Sequence, residues 1–338
     1  MNGGSVNSVR FNQDSSRFAC GLDNGFVLFN SSPLKQILRV DLDKSIGLVE
    51  MLYRCNVVAL VGSNKEPTFD ANKVILFDCC LHKIVVELNA GSPVKNVLMR
   101  RDRLIIVVES RIFVYTLTDI PELLFSIQTI PNFLGLCSVS HNDSNPIIAF
   151  PAKDTGHVGI LSLNQPQRKL KIFHAHNHSL QAISVNLNGN LIATASSKGT
   201  LINLFDAQTT NIVREFRRGI NNATISCISF AKDSSSICVS SHNRKTIHVF
   251  NVAEKAEQTQ SLFQRYFNNR SATHICLYTQ NTTDQSKNSS TQCTFVGRSV
   301  AVIDLNTNYY KFDVNLSRMS CLEWTHKLFM NENGKSTD

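Results

Sequence analysis

Residues 191–206 read LIATASSKGTLINLFD, and this stretch decides the fold. Two apolar runs of six residues, 191–196 and 201–206, flank the polar turn 197–200, which contains Gly199. Short runs rich in β-branched and aromatic residues, bounded by turn residues, predict strands of a hairpin. The run 182–186 precedes them across Asn188-Gly189-Asn190, and a further run, 212–217, follows. The segment therefore predicts several consecutive short strands.

The end of the second run, Leu204-Phe205-Asp206, is an aliphatic–aromatic pair followed by a polar residue, and versions of it recur along the chain. The other copies, the last two of them looser, are 28–30, 76–78, 114–116, 249–251, 160–162 and 311–313. Intervals between the middle residues are 48, 38, 46, 44, 45 and 62. Most are close to the ~40–45 residues of one WD40 blade. Seven units predict an all-β, seven-bladed WD40-type β-propeller, although the chain's one tryptophan, Trp324, lies in none of the repeated pairs.

The domain boundaries follow from this repeat. Residues 1–324 are predicted to form a single propeller, and residues 325–338 a flexible tail. The interval of 62 marks an insertion in the sixth blade at 252–270, and 280–291 is a polar loop rich in Asn, Thr and Ser.

The composition indicates which kinds of partner and which cellular location the sequence predicts. The 338 residues carry 34 Lys and Arg against 26 Asp and Glu, a net charge of +8 that favours an acidic partner. No run of 18 apolar residues and no signal peptide is present, which predicts a cytoplasmic protein without a membrane span. The ten cysteines are scattered through apolar runs, as in a reduced protein without a disulfide framework.

Phe216-Arg217-Arg218-Gly219 is the candidate functional motif. Successive side chains on a strand point to opposite faces, so Arg217 and Arg218 are expected to enter different clefts. Gly219 is expected to take a positive φ and to let another group approach the backbone. Two cations beside such a backbone suit a polyanionic ligand. The alternative is a solvated arginine pair on an edge strand.

The motif and its surroundings resemble the PROPPIN family, seven-bladed propellers that bind phosphoinositides. The similar segments are 174–176, 193–200, 216–219, 240–241 and 245–250, with 11–14, 47–52 and 135–137 in the earlier blades. The likeness spans nearly the whole chain and is closest to the shorter members, which lack a long carboxy-terminal tail.

The resemblance implies two rim pockets for phosphatidylinositol 3-phosphate and phosphatidylinositol 3,5-bisphosphate. The first pocket would contain Arg217, His176, Ser196, Ser197, Lys198 and Thr200. The second would contain Arg218, Ser240, Ser241, Lys245, Thr246 and His248. Guanidinium groups bind phosphate bidentately, and hydroxyl and imidazole groups add hydrogen bonds. Similar proteins carry arginine where this chain has Asn203, so the first pocket has one cation fewer.

The sixth-blade insertion contains Leu262, Phe263, Tyr266 and Phe267. A helix would gather these side chains on one face, flanked by Arg265 and Arg270, which suits insertion into a membrane interface. The alternative is that the same aromatic residues pack against the side of the propeller or belong to the outer strand of the blade.

The resemblance also implies a place in the cell and a partner. A monomeric propeller would associate peripherally with autophagosome precursors and with endosomal or lysosomal membranes. There it would recruit an Atg2-type lipid-transfer protein. Asn12 and Asp14 match a first-blade motif that is tied to this partner in related proteins. The alternative is that residues 12–14 only form a turn.

Other functions have less support in the sequence. No metalloprotease motif, glycine-rich phosphate loop or nucleophile elbow is present, so neither an enzyme nor a cofactor is predicted. His174, His176 and His178 alternate but have no companion cluster, so no metal site is predicted. No aromatic residues interleave the basic ones as nucleic-acid binding would require. The main competitor is a protein-interaction propeller, a scaffold or adaptor that binds acidic peptides.

Overall fold

A computed structural model describes residues 5–63, 70–164, 169–243, 245–252, 273–276, 291–314 and 321–328. Within these residues, 28 strands form seven four-stranded antiparallel sheets, each built from four consecutive strands. The chain is therefore a seven-bladed β-propeller, as the repeat predicted. In the described residues no helix has the length and apolar character needed to cross a bilayer.

The first four blades occupy residues 6–174. Blade 1 contains β1 Val6–Phe11, β2 Arg17–Leu22, β3 Gly25–Ser31 and β4 Leu34–Asp41. Blade 2 contains β5 Ile46–Met51, β6 Val57–Gly62, β7 Lys73–Asp78 and β8 Lys83–Asn89. Blade 3 contains β9 Asn96–Arg100, β10 Arg103–Val107, β11 Arg111–Thr116 and β12 Leu123–Gln128. Blade 4 contains β13 Ser138–Val139, β14 Ile147–Pro151, β15 His157–Ser162 and β16 Lys171–His174.

The remaining three blades complete the ring. Blade 5 contains β17 Leu180–Val185, β18 Leu191–Ser196, β19 Leu201–Asp206 and β20 Ile212–Arg217. Blade 6 contains β21 Ile225–Phe230, β22 Ser236–Ser241, β23 Thr246–Asn251 and β24 Thr273–Cys276. Blade 7 contains β25 Thr291–Val296, β26 Ser299–Asp304, β27 Asn308–Asp313 and β28 Cys321–Lys327. The last strand thus runs three residues beyond the predicted boundary at 324.

All seven copies of the aliphatic–aromatic pair lie on the third strand of a blade. The middle residue of each copy joins the hydrophobic cluster shared with the preceding blade. Phe205 of blade 5, for example, packs on Phe173 of blade 4 with ring centroids 4.7 Å apart. The repeat therefore marks the residue that joins one blade to the next, which explains why its spacing revealed the fold.

The ring closes by packing between the first and the last blade. The first strands of neighbouring blades contact one another all the way round, including β1 with β25. Tyr309 of blade 7 stacks on Phe18 of blade 1 with centroids 5.6 Å apart, and its hydroxyl donates to the Ser31 carbonyl at 2.8 Å. Blade 7 takes all four of its strands from residues 291–327, so among the described residues no amino-terminal strand is exchanged into it.

Candidate functional site

The Phe216–Gly219 segment lies where the outermost strand of blade 5 ends. Strand β20 finishes at Arg217, which pairs with Leu201, while Phe216 pairs with Ile202. Phe216 is buried and packs on Phe250 of blade 6 at 5.0 Å between centroids. The buried phenyl ring thus fixes the end of the strand, and the two arginines come directly after this fixed residue in sequence.

Arg217 belongs to the face of blade 5 that looks toward blade 4. Directly opposed residues of an antiparallel pair share a face, so Arg217 lies on the side of Leu201. Phe205, on the same side of β19, packs against blade 4. Phe216, one residue before Arg217, lies in the cluster between blades 5 and 6. The strand therefore directs Arg217 toward the cleft between blades 4 and 5.

Arg218 is bound to the start of the connector that leads to blade 6. Its backbone amide donates to the Thr200 carbonyl at 2.9 Å. Its guanidinium donates from Nε to the Gly199 carbonyl at 2.6 Å and from Nη2 to the Asn221 carbonyl. One side chain thus ties the turn between β18 and β19 to the connector 218–224, on the blade 6 side of the sheet.

The glycine that needs a positive φ is Gly199, and the expectation for Gly219 was wrong. Gly199 has φ +60, and a Cβ placed on it would lie 1.8 Å from the Ala223 carbonyl oxygen. Gly219 is not among the glycines of positive φ, and a Cβ there would meet nothing within 4 Å. The close backbone approach occurs in the turn because the connector to blade 6 crosses directly over it.

His176 is a buried polar residue of the cleft between blades 4 and 5. It follows β16 and is 8% exposed, with Nε2 placed 3.0 Å from Thr194 Oγ1 on β18. Burial lowers the pKa of the imidazole to about 4. The ring is therefore neutral at pH 7, and it hydrogen-bonds across the interface between the two blades.

The other predicted members of the first pocket surround the turn of blade 5. Ser196 is buried at the end of β18, Thr200 is half-buried, and Ser197 and Lys198 are exposed. Ser196 lies two residues after Thr194, hence on the same face of the strand. His176, Ser196 and Arg217 thus share the side of blade 5 that looks toward blade 4, with Lys198 at its exposed end.

Asn203 lies on this same face. It is 8% exposed and pairs with Thr194 on one side and with Glu215 on the other. Its Nδ2 donates to the Ala175 carbonyl at 3.0 Å, whereas its Oδ1 is buried without a hydrogen-bond partner in the described structure. This position thus holds a neutral amide whose oxygen has no hydrogen-bond partner among the described residues.

Most members of the second predicted pocket share the opposite cleft, between blades 5 and 6. Ser241 Oγ and Thr246 Oγ1 are 2.6 Å apart, and His248 lies on the same face as Phe250 with ring centroids separated by 6.2 Å. Phe250 belongs to the cluster shared with blade 5. Lys245 is exposed in the turn before them, with φ +48.

Ser240 departs from this arrangement, and its geometry does not support a place in the second pocket. It neighbours Ser241 in sequence, so its side chain leaves the strand on the other face, toward blade 7. Its Oγ donates to the Thr291 carbonyl at 2.9 Å and lies 2.8 Å from Ser226 Oγ. The side chain is fully buried. Ser240 therefore joins blades 6 and 7.

Two residues that contribute to this region were not predicted as members of either pocket. Thr194 shares the face of Ser196, a relationship that strand alternation alone could have revealed. Arg214 donates from Nη1 to the Asn251 carbonyl at 2.9 Å and lies 5.0 Å from the centre of the Phe216 ring. Arg214 joins blades 5 and 6, and strand alternation could have placed it there, because it lies two residues before Phe216 and on the opposite face from Arg217.

Asn12 and Asp14 form part of the turn between the first two strands. Asn12 is buried, donates from Nδ2 to the Tyr53 carbonyl at 2.9 Å, and accepts from the Arg17 amide at 3.0 Å. Asp14 accepts from the Ser16 amide at 3.0 Å and is exposed. Asn12 is thus used inside the fold, and Asp14 is the member that reaches the surface.

Three remaining predictions concern other parts of the chain. Leu262, Phe263, Tyr266 and Phe267 lie outside the described residues, as does the polar loop 280–291 apart from Thr291, which begins β25. His174 packs on His157 with ring centroids 5.0 Å apart. Over the described ranges, no group of three His, Cys, Asp or Glu side chains is arranged to hold a metal ion.

Comparison with known sequences gives a family match. The sequence model of the PROPPIN family matches residues 5–266. The chain is 31% identical over 261 residues to SVP1-like protein 2 of Pichia angusta, covering 76% of this chain and 72% of that protein. It is 33% identical to SVP1-like protein 2 of Saccharomyces cerevisiae, covering 73% and 62%. It is 30% identical to Autophagy-related protein 18 of Scheffersomyces stipitis, covering 74% and 51%.

Solved structures share the fold at lower identity. The chain matches Kluyveromyces lactis Hsv2 with a TM-score of 0.81 at 20% identity, covering 96% of this chain and 99% of that one. It matches KlAtg21, solved in complex with the coiled coil of AgAtg16, with a TM-score of 0.77 at 21% identity and the same coverage. The chain spans between half and three quarters of the length of the three relatives above, but nearly all of these propellers.

Proposed function

The chain belongs to the PROPPIN family, and from that premise we propose that it recognises phosphatidylinositol 3-phosphate and phosphatidylinositol 3,5-bisphosphate through two pockets on its rim. At the level of the family it is an autophagy-related, phosphoinositide-binding propeller that associates peripherally with membranes. The finer proposal concerns which lipids bind and which residues bind them. The role is recognition and recruitment, without catalysis.

The observation that carries the proposal is the divergence of two consecutive arginines. Arg217 ends β20 on the face toward blade 4, and Arg218 is bound to the connector toward blade 6. A solvated pair on an edge strand would not need Phe216 as a buried anchor or Gly199 beneath a crossing backbone. Two cations directed into neighbouring clefts suit two phosphate groups on one surface.

In the first pocket, the Arg217 guanidinium would bind a phosphate through two parallel hydrogen bonds. Lys198 would add charge from the exposed end, and the Ser196, Ser197 and Thr200 hydroxyls would donate further hydrogen bonds. His176 is neutral when the pocket is empty, because burial depresses its pKa. A bound phosphate would favour the protonated imidazole, so His176 would acquire charge on binding.

In the second pocket, Arg218 would act with Lys245, Ser241, Thr246 and His248. Arg218 already donates to two carbonyls, and this fixes its position beside the cleft at no further cost in side-chain entropy. The paired hydroxyls of Ser241 and Thr246 can rotate to donate to a ligand. Ser240 would act only indirectly, by holding β22 against blade 7.

Both pockets and the sixth-blade insertion would act together on a membrane. Each headgroup contact is weak by itself, but sites that share one rigid body raise the overall affinity ~100-fold or more. Leu262, Phe263, Tyr266 and Phe267 would supply an apolar contact with the interface. We infer that a monomer is recruited in this way to autophagosome precursors and to endosomal or lysosomal membranes.

A recruited propeller would then scaffold autophagosome formation through protein partners. We infer an Atg2-type lipid-transfer protein as one partner, with the exposed Asp14 as the contact and Asn12 as the residue that holds the turn. KlAtg21, a propeller of the same fold, was solved with a coiled coil of AgAtg16. A coiled-coil partner is therefore a second class to test with this chain.

The competing function is a protein-interaction propeller whose basic rim binds acidic peptides. Flotation with liposomes separates the two, using phosphatidylinositol 3-phosphate against the 4-phosphate at equal charge. We expect the unmodified chain to float selectively with the 3-phosphate and Arg217→Thr/Arg218→Thr to remain unbound. Lys35→Thr/Lys83→Thr removes the same charge from exposed positions in blades 1 and 2, and it should float normally.

Binding that follows total charge, or that survives the loss of both arginines, would overturn the lipid proposal. The peptide-binding function would then be favoured. Equal loss of flotation in the Lys35→Thr/Lys83→Thr control would lead to the same conclusion, because it would show that net charge alone drives association.

A further inference from the structure

We propose that the cleft between blades 3 and 4 is a docking site for a peptide segment that carries acidic side chains close to one large apolar side chain. The site has a basic half, which contains Arg111 and Lys153, and an apolar half, which contains Phe133 and Leu134. It is separate from both proposed lipid pockets and from the turn that holds Asp14, so it does not depend on lipid binding.

The topology of the blades gives the position of this cleft. Arg111 begins the third strand of blade 3, and Lys153 lies in the turn between the second and third strands of blade 4. The turn 197–200 has the same place in blade 5, so the cleft lies on the same face of the ring as the first lipid pocket, one blade earlier. Asp14 lies in a turn between a first and a second strand, at the opposite end of the antiparallel strands. Neither proposed contact therefore uses this surface.

The basic half is an open cleft of about 360 Å³. Arg111 and Lys153 are the charged residues among the described residues that line it, and both are exposed. Within the described part of the chain, neither side chain makes a hydrogen bond or an ion pair. Gln128, which pairs with Arg111 across β11 and β12, also lines the cleft and adds an amide. Charged nitrogen donors without protein acceptors suit the carboxylates of a ligand.

The apolar half adjoins the basic half and shares Ile130 and Pro131 with it. Its volume is about 200 Å³, and an apolar cavity of about 150 Å³ holds benzene. Phe133 is 67% exposed and Leu134 55%, and the buried Leu180 of blade 5 also lines this half. One leucine or phenylalanine side chain of a ligand therefore fits here, and it would cover apolar surface that faces water in the free protein.

The connector that displays these two apolar side chains is fixed by Asn132. This residue is 3% exposed, its Nδ2 donates to the Leu136 carbonyl at 2.9 Å, and its Oδ1 accepts from the Leu136 amide at 2.8 Å. The Asn132 backbone amide donates to the Glu109 carbonyl at 2.5 Å, which ties the connector to the neighbouring turn of blade 3. Because the turn is already ordered, a ligand would pay little entropy to bind against it.

The charges around the cleft decide which ligand fits. Asp154 lines the apolar half, so an acidic group would be repelled there and attracted to Arg111 and Lys153. A concave apolar half accepts one inserted side chain, whereas a flat bilayer surface would leave its interior unfilled. A peptide segment with separate acidic and apolar side chains is therefore favoured over a membrane, and membrane contact becomes an outcome of the test.

The probes are short synthetic peptides, labelled with fluorescein, in which two aspartates and one leucine or phenylalanine are placed in both orders and at several separations. Binding to the full chain is measured by fluorescence anisotropy. We expect a subset of these peptides to bind. Replacing their aspartates with asparagine, or their apolar residue with serine, should weaken that binding. If no peptide of the set binds at about 1 mM, the inference fails.

Variants of the chain locate the binding. Arg111→Thr/Lys153→Thr should weaken the acidic peptides about 3- to 10-fold and remove the preference for aspartate over asparagine. Phe133→Ser/Leu134→Ser should weaken them about 10-fold. Lys35→Thr/Lys83→Thr, which removes the same charge from exposed positions in other blades, should bind as the unmodified chain does. An equal loss in this control would show that net charge drives binding, and it would overturn the inference.

Flotation with liposomes containing phosphatidylinositol 3-phosphate separates this site from the lipid pockets. Both variants of the cleft should float normally, and their melting temperatures should match that of the unmodified chain because the substituted side chains are exposed. If Phe133→Ser/Leu134→Ser stops floating but still binds peptide, the surface contacts membrane and the inference fails. If the unmodified chain binds peptide through this cleft but does not float, the proposed lipid function fails and the docking site stands.

Discussion

The Nε2 atom of His176 lies 3.0 Å from Oγ1 of Thr194, so a histidine that follows blade 4 is hydrogen-bonded to the second strand of blade 5. Burial lowers the pKa of this imidazole to about 4, against about 6.5 in an unfolded chain. Between these two values the unfolded state binds the proton and the folded state does not. The stability that the neutral His176 imidazole contributes is therefore fully present above pH 6.5, and it is lost as the pH falls toward 4.

We expect His176→Gln to reduce this dependence on pH. In that window one such histidine contributes at most about 1.4 kcal/mol per pH unit. The measurement is urea unfolding at pH 7 and at pH 5, where the variant should lose less stability than the parent. Some dependence will remain, because burial also lowers the pKa of His141 to about 4. His178→Gln, exposed two residues away, is the control, and an equal effect there would contradict the assignment to His176.

Gly199→Ala is expected to destabilise the propeller by about 2 kcal/mol or more. The new Cβ would require a left-handed backbone at φ +60 and would collide with the Ala223 carbonyl, which cannot move without the connector. Gly219→Ala is the matched control, because a Cβ there meets nothing within 4 Å. Thermal unfolding of the two variants should separate them clearly, and equal melting temperatures would refute the account of the turn.

The fold could be predicted from the sequence because one packing role recurs in every blade. The middle residue of each three-residue copy fills the space beside the preceding blade. The same packing constraint therefore acts on its identity and spacing in all seven blades. Even Leu161 and Phe312, in the two weakest copies, occupy this position. The alternation of a strand likewise predicted that Arg217 and Arg218 would diverge.

The parts that could not be predicted depend on contacts between segments distant in the chain. Gly219 is the glycine of the motif, yet Gly199 is the one with a positive φ. The connector to blade 6 passes over Gly199, and this contact leaves no room for a side chain there. The unused oxygen of Asn203 follows from the position of the Ala175 carbonyl, which no local pattern reveals. Ser240 differs: alternation in β22 would have separated it from Ser241 had the faces been assigned first.

That separation gives a prediction for two adjacent serines. Ser240→Ala should cost about 1 kcal/mol of stability, since the buried Thr291 carbonyl loses one of its two side-chain donors and keeps Ser226 Oγ, while headgroup affinity stays unchanged. Ser241→Ala should instead weaken binding to the second pocket, because its hydroxyl and that of Thr246 lie on the face toward blade 5. Chemical unfolding and flotation on each variant measure the two effects. Loss of lipid binding by a fully folded Ser240→Ala would contradict this division.

Closure of the ring through Tyr309 provides the final prediction. The ring of Tyr309 stacks on Phe18, and its hydroxyl donates to the Ser31 carbonyl at 2.8 Å, so this one side chain links blade 7 to blade 1. Tyr309→Phe keeps the stacking and removes one buried hydrogen bond, which should cost about 1 kcal/mol. Tyr309→Ala also opens a cavity at the joint, and we expect about 3–5 kcal/mol.

The described strands of blades 1 and 7 are the first and the last in sequence, so packing and not a short connector joins these two blades, and this cavity should act on ring closure itself. Hydrogen exchange in Tyr309→Ala should therefore accelerate first in β1 to β3 and β25 to β27, with blades 3 and 4 slower to respond. Phe133→Ala is the control, because that ring is 67% exposed and its removal should leave stability and exchange nearly unchanged. Uniform acceleration in all seven blades would mean that the propeller unfolds as one unit and that the joint is not its weakest interface.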